Sequence, residues 1–320
     1  MSRRGPTIAE AALQLIRERG PQQLGTLVPA LVAAGRTSAK DPRRAVSGAI
    51  EVSPEFVRAW DGRWCSIVEQ LDGAMFTTAV TTLERQNGIV LVRDHLALVE
   101  RLAARSRPFA GGGDIHLHFF GDFFELPWPE DGLEADDLRE VLGPDLADDL
   151  LGFARELGLP ADADEQETLR DLLWEMRLGR IFDGPPGWLP QLAPRQLLGI
   201  RIRSGAIETI AVDRRDVAGP QVGVVGAQVA RLARLVIGPD PSWFGPPAVS
   251  LEELLELVAT EAPELLRRSL PPFPEVVARG GLEVREGLVG HRGTDWEASG
   301  LFVPASSPEA WGFEPGRTVH

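Results

Sequence analysis

The 320-residue sequence predicts an α+β fold, in which a three-helix unit closed by a β-hairpin over residues 1–70 precedes a mixed body with a small β-rich or barrel-like unit. Three observations lead there. Apolar residues recur at i, i+3, i+4 and i+7 in the first fifty positions, the spacing of one buried helical face. Two short apolar runs then flank Asp61-Gly62, a strong hairpin signal. Past residue 70, strand-like runs interleave with further helical ones, and no fixed-period repeat is present.

The first helix opens at Thr7, placed three residues before Glu10 as in a capping box. Ile8, Ala11, Ala12, Leu15 and Ile16 supply its inner face, and Gly20-Pro21 ends it. A second helix is expected from Thr26, burying Leu27, Leu31 and Val32, with Pro29 in its first turn and Gly35 in the left-handed position past its end. Asp41-Pro42 opens a third helix, a capping carboxylate followed by proline at the first helical position. Ala45, Val46, Ala49 and Ile50 face inward there, leaving Arg43, Arg44, Ser47 and Gly48 outward. Residues 56–60 and 63–67 form the hairpin, and Trp60 and Trp64 are expected to pin it to the helices by burial.

Helix, helix, helix, hairpin is the order of a winged helix. The runs TIAEAALQLIRERGPQQLGTLVPALVAAG, DPRRAVSGAI and FVRAWDGRWCSI resemble a HARE-type helix-turn-helix domain, a winged-helix variant. That domain also occurs in the delta subunit of bacterial RNA polymerase and in restriction- and chromatin-associated proteins. The resemblance covers residues 5–70 and implies contact with DNA or with the transcription machinery. The delta subunit likewise joins the domain to a strongly acidic remainder. There the remainder is disordered, whereas residues 71–320 here have the apolar periodicity of a folded body.

Charge is divided along the same line. Up to Trp64 the chain holds ten basic residues and six acidic ones, a net of +4, which leaves −18 for the rest of a chain whose total is −14. A basic unit on an acidic body points to nucleic acid or to an electrostatic partner. The DNA-binding set expected from this is Arg36, Lys40, Arg43, Arg44, Ser47, Arg58 and Arg63. Arg43, Arg44 and Ser47 would form the face entering a major groove, with Lys40, Arg58 and Arg63 meeting phosphates. The alternative is that these are solvated charges on a unit that binds protein, since Asp41 and Glu51 bracket the helix with charge that phosphate repels.

Composition excludes several classes. A hydrophobic content of 43% over 320 residues is enough for an ample core and two or more domains. The start MSRRGPT has no apolar signal region, and no run approaches the ~18 apolar residues of a membrane span. A single Cys65 excludes an internal disulfide and a cysteine-based zinc cluster. Cytoplasmic placement is therefore expected. Lys40 is the only lysine and tyrosine is absent, a bias that fits a GC-rich bacterial genome.

Residues 71–128 read as β-rich, through MFTTAV, GIVLVRDH and DIHLHFF separated by Asn87-Gly88 and Gly111-Gly112-Gly113. Residues 129–240 form an acidic helical segment with a small β-hairpin unit. Within it, acids over 130–149 interleave with Leu133, Leu138, Val141, Leu142, Leu146 and Leu150, as on a solvated helix. A helix over 165–178, a hairpin turning at Ser204-Gly205 and a helix near 227–236 follow. After the Pro-rich PDPSWFGPPA, a helical segment over 248–320 opens with the capping box Ser250–Glu253 and ends in a loose tail from Pro304.

Catalytic signatures are few. His116 and His118 flank Leu117 on an expected strand, so both imidazoles share a face near Asp114, but a third ligand at helpful spacing is missing and no metal is expected. Gly111-Gly112-Gly113 lacks the ending of a phosphate loop, and Gly223-Val224-Val225-Gly226 is half a dinucleotide fingerprint. No nucleophile elbow or Cys/His pair occurs, and no cofactor is expected. The sequence thus points to a protein that binds double-stranded DNA in transcription or its regulation, with an acidic interaction region. The alternative is a non-enzymatic module that contacts RNA polymerase or another nucleoprotein partner. A nucleic-acid-processing enzyme with its site in residues 72–215 is the third reading.

Overall fold

Helix α1 (Ile8–Arg19) begins at the Thr7–Glu10 capping box, with each side chain bonded to the other residue's backbone N–H. The computed structural model describes residues 6–105, 114–124, 138–157, 164–239, 248–285, 287–294 and 296. After α1 come strand β1 (Gln22–Gln23) and helices α2 (Leu24–Ala33) and α3 (Pro42–Glu51). Strands β2 (Phe56–Arg58) and β3 (Arg63–Ser66) complete a sheet of order β1-β3-β2. Ala12, Ile16, Leu27, Leu31, Val46, Ile50, Phe56 and Trp64 pack into one small core.

Two expectations in this unit are corrected. Helix α2 starts at Leu24, because β1 pairs with Arg63 and Trp64 and the chain enters the helix straight from that strand. Pro29 therefore lies inside the helix; it is exposed, as is Gly25, whose carbonyl it leaves without the helical partner. The inner stripe becomes Leu24, Leu27, Val28 and Leu31, which turns Val32 outward to 43% exposure. Trp64 is buried as expected, edge-on to Phe56 with ring centroids 6.5 Å apart. Trp60 is instead 58% exposed, because pairing stops at Arg58–Trp64 and leaves its ring on the loop beyond the ladder. Gly62 adopts φ +80° in that loop, a conformation that suits glycine.

The hairpin has two buried faces. Phe56 and Trp64 belong to the three-helix core, while Val57, Ala59 and Cys65 belong to the core of the body. That second core continues through α4 (Ile67–Leu71) and β4 (Met75–Thr78). Residues 72–125 contain the expected strands, but helices alternate with them. Helix α5 (Thr82–Asn87) precedes β5 (Ile89–Leu91), and α6 (Ala97–Ala103) precedes β6 (His116–Phe119). The Gly111-Gly112-Gly113 turn lies outside the described residues.

A second lobe is helical. Helices α7 (Phe120–Phe124), α8 (Leu138–Leu142), α9 (Pro144–Glu156) and α10 (Glu165–Leu178) bury Phe120, Leu138, Leu150, Phe153, Leu169 and Leu172 together. They cover a sheet of order β5-β7-β6, where β7 is Arg180–Asp183. The acidic stretch from 138 onward thus forms helices with a solvated face, as its periodicity implies, although Val141 is 41% exposed. Its earlier part, with Leu133, lies outside the described residues.

The expected hairpin is β8 (Gln196–Arg203) and β9 (Ala206–Asp213), turning at Ser204-Gly205. Among the described residues no barrel closes around it. There β4 pairs only with β8, giving an open sheet of order β4-β8-β9. Helices α11 (Arg214–Val217) and α12 (Gln221–Ile237) follow. The Gly223–Gly226 run lies inside α12 and serves packing: a Cβ on Gly226 would sit 2.5 Å from the Val276 carbonyl oxygen. Strand β10 (Ala248–Ser250), α13 (Leu251–Glu261), α14 (Phe273–Arg279), β11 (Leu282–Arg285) and β12 (Leu288–His291) end the described chain, in a sheet of order β10-β12-β11. The Ser250–Glu253 capping box is formed. Most of the Pro-rich linker (240–247) and the tail from Pro304 lie outside the described residues. Among the described residues, no helix is long and apolar enough to cross a membrane.

Candidate nucleic-acid interface

Helix α3 takes its position from both ends of the chain segment that precedes it. Helix α2 stops at a left-handed Gly35, where the N–H groups of Gly35 and Arg36 bond back to the carbonyls of Val32 and Leu31. Five residues later the Asp41 carboxylate accepts the Arg44 N–H at 3.1 Å, and Pro42 supplies the first helical residue. Val46 and Ile50 are fully buried, which fixes the roll of α3 about its axis. Arg43 and Arg44 are exposed, and with Leu24, Asp41, Ser47, Gly48 and Glu51 they line an open depression of about 480 Å³.

The seven expected contact residues differ in how free they are. Arg36, Lys40, Arg43 and Arg44 are all exposed and form no ion pair among the described residues. Ser47 is half-buried and its hydroxyl donates to the Glu51 carboxylate at 2.6 Å. On the hairpin, Arg63 pairs with Asp61, whose hydrogen bonds and charge hold its guanidinium pKa above the ordinary value. The Arg58 guanidinium lies 5.8 Å from the centre of the Trp64 ring. Phosphate would therefore compete with carboxylate at Arg63, and with an aromatic face at Arg58.

The hairpin is also gripped from behind. Arg101 on α6 reaches both the Phe56 carbonyl and the Glu256 carboxylate of α13. Arg105 pairs with Glu55 at 2.6 Å, and Arg17 on α1 with Glu69 at 3.4 Å. Glu261, at the end of α13, accepts the Trp60 backbone N–H at 3.1 Å. None of these long-range partners is visible to sequence reading, and the exposed Trp60 was expected to be core.

Elsewhere, His116 and His118 are exposed on β6 with ring centroids 6.1 Å apart. The strand ladder adds Asp183, opposite His116, whose carboxylate is 3.8 Å from His118 Nε2. Among the described residues, no group of three or more His, Cys, Asp or Glu is arranged to hold a metal. Cys65 is buried, and that burial pushes its thiol pKa up to about 11, far from a reactive thiolate. Compared with protein-family models, curated proteins and solved structures, the chain matches none.

Proposed function

We propose that residues 1–70 act as a winged helix that contacts double-stranded DNA, with α3 as the reading element, in a cytoplasmic protein serving transcription or its regulation. The observation that carries this reading is the outer face of α3, where Arg43 and Arg44 stand exposed, without an ion pair among the described residues, and beside an open depression. The element order supports it too, since the two-residue β1 lies between α1 and α2 and pairs with the returning strand of the hairpin. Arg36 and Lys40, on the connection into α3, add charge for phosphate. Residues 71–320 would supply an acidic interaction or effector region.

A second reading has its own observation. Asp41 and Glu51 line the same depression, which lowers its affinity for phosphate and suits a protein partner such as RNA polymerase or another nucleoprotein. Hydrogen–deuterium exchange of the full chain, with and without a mixed-sequence duplex at low salt, separates the two. The DNA reading expects added protection over 41–51. Protection confined to other segments, or none anywhere, would hand first place to the protein partner.

A further inference from the structure

The hairpin carries two tryptophans in opposite conditions. The Trp64 ring is buried and already has the Arg58 guanidinium 5.8 Å from its centre. The Trp60 ring is 58% exposed on the loop and has no such cation among the described residues. Next to Trp60 lies Glu261, held there by the bond from the Trp60 N–H to Oε1 at 3.1 Å. No cation lies within ion-pair distance of Glu261 among the described residues, whereas Asp61 is matched by Arg63. Glu261 also ends α13, so the partial negative charge of that helix terminus adds to its own.

An exposed indole beside a carboxylate that the Arg63 charge reaches but no described cation contacts can complement an arginine or lysine side chain. The ring face attracts the cation, and the carboxylate accepts its hydrogen bonds. Phosphate is disfavoured beside Glu261, whose carboxylate repels it, since Asp61 is already neutralised by Arg63. The body's charge of −18 would draw a basic partner toward the molecule before contact. We propose that the hairpin tip, through Trp60 and Glu261, is a docking point for an arginine- or lysine-bearing segment of a protein partner. The site is separate from the outer face of α3 and stands or falls independently of the DNA reading.

A fluorescein-labelled hexa-arginine peptide, titrated with the full chain at physiological salt and followed by anisotropy, tests this. Trp60→Leu keeps the apolar bulk and removes the aromatic face. Glu261→Gln keeps an acceptor for the Trp60 N–H and removes the charge. Each should weaken peptide binding roughly fivefold or more. Trp60→Phe should recover part of the loss, and Arg43→Ala with Arg44→Ala should leave peptide binding unchanged. Thermal melts by circular dichroism check that each variant is folded. If Trp60→Leu binds the peptide as the parent does, the attraction is diffuse and the proposal fails. If Trp60→Leu loses affinity for duplex DNA and not for the peptide, the tip is a nucleic-acid contact and the proposal fails as well.

Discussion

At His95 burial sets the chemistry. The ring is 6% exposed and its Nε2 has no hydrogen-bond partner among the described residues. Burial first, and the Arg93 charge second, lower its pKa from 6.5 to about 4. The folded protein therefore keeps His95 neutral at pH values where the unfolded chain already binds a proton, so stability is lost as pH falls from 6.5 toward 4. Urea unfolding at pH 7 and pH 5 should show a loss of about 2 kcal/mol from this group, absent in His95→Gln. An equal loss in the variant would mean that other groups drive it. Near it, Glu84 is fully buried and bonded by Arg93 at 3.0 and 3.2 Å and by the Leu91 N–H at 2.6 Å. Arg93→Ala should cost about 3–5 kcal/mol by leaving that carboxylate unpaired, measured by the same denaturation. Trp64→Ala should cost about 3–5 kcal/mol as well, and a loss below about 1 kcal/mol would contradict the packing of its ring against Phe56.

Among the elements, those written in local chemistry were legible. Thr7–Glu10, Asp41-Pro42 and Ser250–Glu253 start helices because capping involves residues three apart, and Glu165–Leu178 follows its apolar period. What long-range pairing decides was not legible. The sequence Gln22-Gln23 has no strand character of its own and becomes β1 only because Arg63 and Trp64 lie beside it. The open sheet around β8 depends on β4, more than a hundred residues earlier. Of the candidate interface, the arginines on α3 were readable as an outward face. Glu261 at the hairpin tip was not, being 201 positions from Trp60. The close crossing of α12 and α14 gives a test at this scale. Gly226→Ala should push a methyl onto backbone of α14 and destabilise the protein by about 1–3 kcal/mol, read from the urea midpoint. An unchanged midpoint would mean that the helices separate freely there.

For the whole molecule, the charge partition suggests a detachable basic unit, but the packing ties it to the body. Val57, Ala59 and Cys65 are buried in the large core, and Arg101 and Arg105 hold the same hairpin from α6 and beyond it. A fragment of residues 1–70 would expose those side chains, so it should melt well below the temperature at which α1–α3 lose exchange protection in the full chain. A fragment as stable as its parent would show that the shared hairpin contributes nothing. The intact chain is therefore the right object for the central question, which is whether α3 reads DNA. Fluorescence anisotropy of a labelled duplex, titrated with the full chain at several salt concentrations, asks it directly. Binding should weaken with salt at a slope of about −0.9 per phosphate neutralised. Arg43→Ala with Arg44→Ala should abolish most of the affinity and flatten the slope, without loss of helicity by circular dichroism, since alanine favours helix. A double variant that binds as tightly as its parent, or a parent that binds no duplex at low salt, would contradict the assignment of α3 as the DNA-reading element.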